Sequence, residues 1–397
     1  MKKTIVAREV TIPDLLRIRR YERTPELGPN ILFFSGGTAL NEISRTLKKF
    51  THNSTHLVTP FDSGGSSAIL RTAFDMPAIG DLRSRMMALA DESIGGHPEV
   101  FNLFAYRLPK KGKRKELLSQ LRNIASGKDE RIRGIKNPMR SLIRSHLNIF
   151  LDHAPEKFDL RGASIGNLIL AGGYLANDHQ LDQVIFMFSK LVNVQGKVAT
   201  IVNDNLHLGA TLANKSKIIG QHLLTGKEVD PLNSPIKNFY LVDQHKSTLK
   251  TQAVLQRKKR KMIKEAELIC YPPGSFYTSL CANLLPKGVG TAIKKNKCPK
   301  IYFPSLGNDP ECIGMSLDEA IFKLLSVLKQ DVGKECPNNQ LLNFVFIDRE
   351  NGVDLKKSTK KMLSKTGVQV VDTRLITPQS SPYYDPQLMV SALLSLS

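Results

Sequence analysis

Ile31-Leu32-Phe33-Phe34-Ser35-Gly36-Gly37-Thr38 is an apolar run that ends abruptly in small residues, and the pattern returns in His56-Leu57-Val58-Thr59 followed by Asp62-Ser63-Gly64-Gly65-Ser66-Ser67. Between the two, Leu40, Ile43 and Leu47 recur at helical spacing. The order is strand, glycine turn, helix, strand, glycine turn. In an open α/β sheet both turns fall at the carboxyl edge of the strands, where ligands bind. Glycines there let backbone approach a ligand closely, and free amides at a following helix start attract phosphate. Asp62 adds a carboxylate able to hold a magnesium ion or to accept a proton. A third apolar run, Leu268-Ile269-Cys270-Tyr271, ends in Pro272-Pro273-Gly274-Ser275 ahead of Phe276-Tyr277-Thr278-Ser279. Each turn alone is equally a structural bend, and Asp62 alone equally a helix cap; it is the threefold recurrence that points to one phosphate-handling site.

Outward from these turns, the same alternation of short apolar strands and amphipathic helices predicts an α/β chain. Its core is a doubly wound, largely parallel sheet. Strands are expected at 197–202, 300–305 and 344–348, a hairpin at 207–223, and helices at 165–176, 181–192, 253–267, 317–328 and 386–396. The basic stretch from about 97 to 160 has helical spacing and few strand-like runs, so it reads as a helical insertion. Residues 1–28, with no clear period, read as an N-terminal extension; 29–330 as the nucleotide-binding α/β domain; and 331–397 as a C-terminal α/β extension.

The chain has 397 residues and a net charge of +21. Much of the excess sits in runs such as 110–115, 257–261 and 356–361. No aromatic residues interleave with them as a stacking platform for bases requires, so they read as solvated helix faces and nucleic acid is not the expected partner. No run approaches the roughly 20 apolar residues of a membrane span. The early charges at Lys2 and Lys3 leave no signal-peptide core. Five cysteines without CxxC spacing argue against a zinc site or a disulfide framework. A cytoplasmic protein is expected.

Taken in order, Ser35-Gly36-Gly37-Thr38, Asp62 to Ser67 with Leu70-Arg71, Gly80-Asp81-Leu82-Arg83, Ile165-Gly166-Asn167-Leu168, Leu191 to Val194 and Pro273 to Ser279 resemble the 2-phospho-L-lactate transferase (CofD-like) family, which includes the YvcK-like gluconeogenesis factors. The resemblance spans roughly residues 31 to 330. It implies a Rossmann-like fold that binds a nucleotide diphosphate ligand and, for the transferases, movement of a phosphate-linked group from a guanosine-diphosphate-type donor to an acceptor hydroxyl with magnesium. For the gluconeogenesis-factor branch, to which the Gly-Gly-Ser-Ser and Gly-Asp-Leu-Arg elements are closer, it implies binding of a UDP-sugar without a settled reaction.

Carried over residue by residue, the resemblance assigns Gly36, Gly37 and Thr38 to a phosphate loop and Asp62 to catalysis and magnesium. Gly64, Gly65 and Ser66 join the second ligand turn. Asn167 falls near the nucleotide, and Gly274, Ser275 and Tyr277 form a third ligand-facing loop. Arg83 fits a phosphate clamp or an ion pair, and Tyr277 a stacking surface or a packed tyrosine. Relatives often associate, so a homodimer is compatible with the resemblance. The chain departs from the family pattern at Ala39, where a glycine is usual, and at Phe61-Asp62, where paired aspartates are common.

Overall fold

Each apolar run singled out above is a strand whose side chains are buried on both faces, as parallel strands between two layers require. The computed structural model describes residues 9–226, 229–243, 250–307 and 309–397, with the backbone alone at residue 94. Residues 1–8, the start of the expected N-terminal extension, lie outside the described residues. In chain order the strands are β1 (Ile31–Ser35), β2 (Thr55–Val58), β3 (Lys197–Thr200), β4 (His207–Leu212), β5 (Lys217–Ile219), β6 (Ile236–Val242), β7 (Lys250–Thr251), β8 (Leu268–Tyr271), β9 (Lys300–Tyr302), β10 (Phe344–Ile347) and β11 (Gln369–Asp372).

Seven of them form a parallel sheet in the order β11-β10-β9-β8-β1-β2-β3. The chain therefore runs outward from β1 through β2 and β3, then returns to the other side of β1 at β8. The direction of travel reverses between β1 and β8, and the crevice beyond their carboxyl ends is where such sheets take ligands. Register aligns Phe33 with His56 on one side and with Cys270 on the other.

Alternation along β1 divides the core. Leu32 and Phe34 face one side, with Leu57, Ile269 and Tyr271, under the helices Arg257–Glu265, Val289–Lys295 and Leu317–Val332. Ile31 and Phe33 face the other, against the helices Asn41–Leu47 and Pro386–Ser395. Full burial of each such side chain contributes about 1.5–3 kcal/mol. The helical insertion is present as Pro98–Ala105, Arg114–Ser126, Glu130–Arg133 and Met139–His153. It packs through Leu103, Leu121, Leu147 and Phe150 onto a core shared with the helices Gly80–Leu89 and Ile165–Ala176.

The structure departs from the sequence reading in several places. The stretch read as aperiodic holds a helix, Leu15–Arg23, capped by Asp14; it buries Ile18 alone, and one buried residue makes no period. The expected hairpin belongs to a second, antiparallel sheet, β5-β4-β6-β7. Its second strand stops at Ile219, because Gly220 at φ +118° turns the chain into the short helix Gln221–Leu224. Residues 331–397 place β10 and β11 in the parallel sheet itself. No helix among the described residues is long and apolar enough to cross a membrane.

Candidate functional site

After β1 the chain makes the Gly36-Gly37 turn, a single 3-10 turn at Thr38–Leu40, and the helix Asn41–Leu47. Gly36 has no alternative: a Cβ there would lie 2.2 Å from Ser279 Oγ and 2.6 Å from Ser279 Cβ. Beneath the turn lies Arg85, fully buried. Its guanidinium donates to the carbonyls of Gly36 (3.3 Å) and Gly37 (3.0 Å) and to Ser44 Oγ (2.6 Å). Burial brings it down to about 10, against the pull of Asp81, so it stays charged at neutral pH. In a trans peptide the N–H points opposite to the C=O. With both carbonyls turned onto Arg85, the N–H groups of Gly37 and Thr38 face away from it. The turn thus presents donors outward with a fixed positive charge behind them.

The second turn is held from three directions. Asp62 Oδ1 accepts from the Gly64 amide at 3.1 Å. Arg71 donates to the carbonyls of Phe61 (3.3 Å) and Asp62 (3.1 Å) and to Asn205 Oδ1 (2.8 Å). Ser63 Oγ pairs with His222 Nδ1 at 2.9 Å, which pins the short helix Gln221–Leu224 over the turn. Gly65 opens the helix Gly65–Phe74 at φ +45°, a left-handed conformation costly for other residues. No side chain caps that helix and no acid sits in its first turn, so its leading amides are uncapped.

These two turns and the start of the helix Gly80–Leu89 enclose a cleft of about 230 Å³ walled by Gly37, Thr38, Ala39, Asp62, Gly64 and Asp81, with Gln221, His222, Ser275 and Ser279 completing it. A methyl on Gly37 would sit 3.1 Å from Asp81 Oδ1, and one on Gly80 would sit 3.5 Å from Asp62 Oδ2. Gly37 thus keeps the cleft clear beside Asp81, whereas a methyl on Gly80 would meet Ser67 Oγ first, at 2.7 Å.

The third turn is built differently. Ser305 Oγ accepts from the Gly274 amide at 3.0 Å, Asp309 Oδ2 from Phe276 N at 2.8 Å, and Glu311 Oε2 from Tyr277 N at 2.9 Å and Thr278 N at 2.8 Å. Thr278 Oγ1 also donates to Glu311 Oε1. The chain's own carboxylates therefore cap the π-helical turn Phe276–Cys281. Burial and the neighbouring Asp309 push Glu311 up to about 8, against these donors. Tyr277 is buried, its ring against Phe239 and Phe276 and its hydroxyl 3.5 Å from the Ile236 carbonyl. Gly36 and Gly274 face a gap of only about 10 Å³ between the first and third turns.

Arg83 points away from the cleft. Its Nε donates to Asn167 Oδ1 at 2.8 Å, and burial together with the nearby Arg107 brings it down to about 10. Asn167, Gly65 and Ser66 line a separate pocket of about 310 Å³ against the helical insertion. The residues singled out from sequence are thus divided. Gly37, Thr38, Asp62, Gly64 and Ser275 share the cleft; Gly65, Ser66 and Asn167 share the adjoining pocket.

Four residues were not assigned a role from the sequence: Asp81, Arg85, Arg71 and His222. Asp81 stands in Gly80-Asp81-Leu82-Arg83, of which only Arg83 is given a role from the sequence. Arg85 carried a signal, a charged residue inside the apolar stripe of Leu82, Met86 and Leu89. His222 carried none, because it arrives from the second sheet.

Among the described residues, no group of three or more His, Cys, Asp or Glu is assembled to hold a metal. Asp62 and Asp81 in one cleft nevertheless suit magnesium, which binds through one or two carboxylates and completes its shell with water and substrate phosphates. Where Phe61-Asp62 lacks a paired aspartate, Asp81 from another element lines the same cleft.

The family model described as 2-phospho-L-lactate transferase CofD matches residues 31–379. A gluconeogenesis-factor relative in Clostridium acetobutylicum is 26% identical over 358 residues, covering 88% of this chain and 65% of its own length, so the chain spans just under two thirds of that protein. The gluconeogenesis factor of Listeria monocytogenes is 27% identical, covering 82% of this chain and 80% of its own. A crystal structure of a UPF0052-family protein from Bacillus halodurans shares the fold with a TM-score of 0.64 at 23% identity, covering 92% of this chain and 99% of that one.

Proposed function

This chain belongs to the 2-phospho-L-lactate transferase (CofD) family, and we propose that it binds a nucleotide-diphosphate-linked donor in the cleft beside β1 and transfers a phosphate-linked group to an acceptor hydroxyl. The observation that carries this reading is the meeting of outward-facing turn amides, backed by Arg85, with two carboxylates in one cleft. The amides of Gly37 and Thr38 would take the diphosphate oxygens. Fixed donors aimed at developing charge are the largest contribution to this chemistry.

Asp62 and Asp81 would repel a bare diphosphate. The two carboxylates would hold a magnesium ion, whose charge would offset that of the diphosphate. In the transfer the acceptor oxygen bonds to the phosphorus carrying the group. The bridging P–O bond breaks, nucleoside monophosphate leaves, and the hydroxyl proton passes to Asp62, which also orients the acceptor. Ser275 closes the cleft from the β8 side.

A second reading is a regulatory protein that binds a nucleotide-sugar without consuming it. The names of the Clostridium and Listeria relatives favour it. Thermal unfolding with GDP, UDP-glucose and ATP, each with and without magnesium, separates the two, because ligand binding raises the midpoint by mass action. A magnesium-enhanced shift with GDP is the expected result. A shift with UDP-glucose alone supports the regulatory reading, and no shift with any nucleotide overturns both.

A further inference from the structure

The turn at residues 62–66 is a shared wall. Asp62 and Gly64 look into the cleft, while Gly65 and Ser66 look the other way, into the 310 Å³ pocket against the helical insertion. That pocket has an apolar side, Ile69, Leu70, Phe158 and Leu168, and a cationic rim, Arg107, Lys110 and Arg161. Asp159, the one carboxylate in its wall, is already engaged by Arg161 through bonds of 2.7 to 3.1 Å. Asn167 is 1% exposed. Its Oδ1 accepts from Arg83 and its main-chain N–H goes to Ser164 Oγ, and its Nδ2 donates to no described residue. Arg107 lies close enough to Arg83 to repel its charge. A buried amide donor beside crowded cations, in a pocket with one apolar side, has the chemistry of a site for an anion with an organic body.

We infer that this pocket binds a small organic oxyanion, a phosphate or carboxylate on an apolar body, held by Arg107, Lys110 and Asn167 with the body against Ile69 and Phe158. On the transferase reading, on which this role alone rests, the occupant is the acceptor, reaching the donor across the Gly64-Gly65 turn. The site itself does not depend on that reading.

Calorimetric titration of phenyl phosphate into the full chain, with and without saturating GDP, tests it. The expected result is one saturable site that GDP does not displace, weakened at least tenfold by Arg107→Ala with Lys110→Ala. Both positions are exposed, so the double variant should keep its fold. Inorganic phosphate, which leaves the apolar side uncovered, should bind more weakly. No saturable binding, competitive displacement by GDP, or an unchanged affinity in the double variant would overturn the site. Equal affinity for inorganic phosphate would overturn the organic-body assignment. Phenyl phosphate binding in a chain that binds no nucleotide upholds the pocket and removes the transferase reading.

Discussion

Asp81 and Arg85 stand one helical turn apart in Gly80–Leu89, and that spacing gives them opposite duties on the same glycine turn. Asp81, in the first turn of the helix where a negative charge is favoured, enters the cleft, whereas Arg85 lies buried beneath Gly36 and Gly37. The sequence drew attention to Arg83, two positions earlier, because it completes a motif; the structure ties that side chain to Asn167 instead. Motif position identified the element and left open which arginine faces the turn, since that depends on how the helix is rotated against β1. Glu311 makes a residue-scale prediction. Its carboxyl is raised to about 8 in the folded chain by burial and Asp309, against about 4.3 when unfolded. The stability it contributes is therefore complete below the unfolded value and lost as pH rises through 8. Denaturant midpoints should fall between pH 5 and 9, and Glu311→Gln, which keeps an acceptor for the Tyr277 and Thr278 amides, should flatten that fall. An identical slope in the variant would remove Glu311 as its source.

At the scale of elements, the first and third turns are locked together by contact rather than by a ligand. Gly36→Ala drives a methyl into Ser279, and overpacking of this kind costs about 1–3 kcal/mol. Ser279→Ala leaves the offending Cβ in place, but Ser279→Gly removes it. Denaturant unfolding should show Gly36→Ala strongly destabilised and the Gly36→Ala, Ser279→Gly pair more stable than Gly36→Ala alone; additive losses would contradict the contact. The same scale explains what was readable. β1, β2, β8, β9 and β10 are short apolar runs bounded by turn residues, the signature of strands covered on both faces. β6 was missed because Ile236–Val242 exposes Lys237 and Asn238, and β11 because it is a half-exposed edge strand. The capping of the third turn was invisible because its carboxylates come from residues 309 and 311, more than thirty positions downstream.

For the whole molecule, the strand order places three glycine-bearing turns along one edge of the sheet, and the second sheet contributes His222 and Gln221 to the same cleft. The helical insertion adds a pocket on the far side of the second turn. The sequence announced the α/β core and the cleft's first two walls; how far apart the two pockets lie was a matter of packing, which no linear spacing records. The central claim is that Asp62 and Asp81 act with magnesium on a bound diphosphate. Its most direct test is a calorimetric titration of GDP into the wild type, Asp62→Asn and Asp81→Asn, each with and without magnesium. The account predicts one GDP per chain, at least tenfold tighter with magnesium in the wild type, and loss of that enhancement in both variants with unfolding midpoints nearly unchanged. GDP that fails to bind, or binds all three proteins alike whether or not magnesium is present, would contradict it.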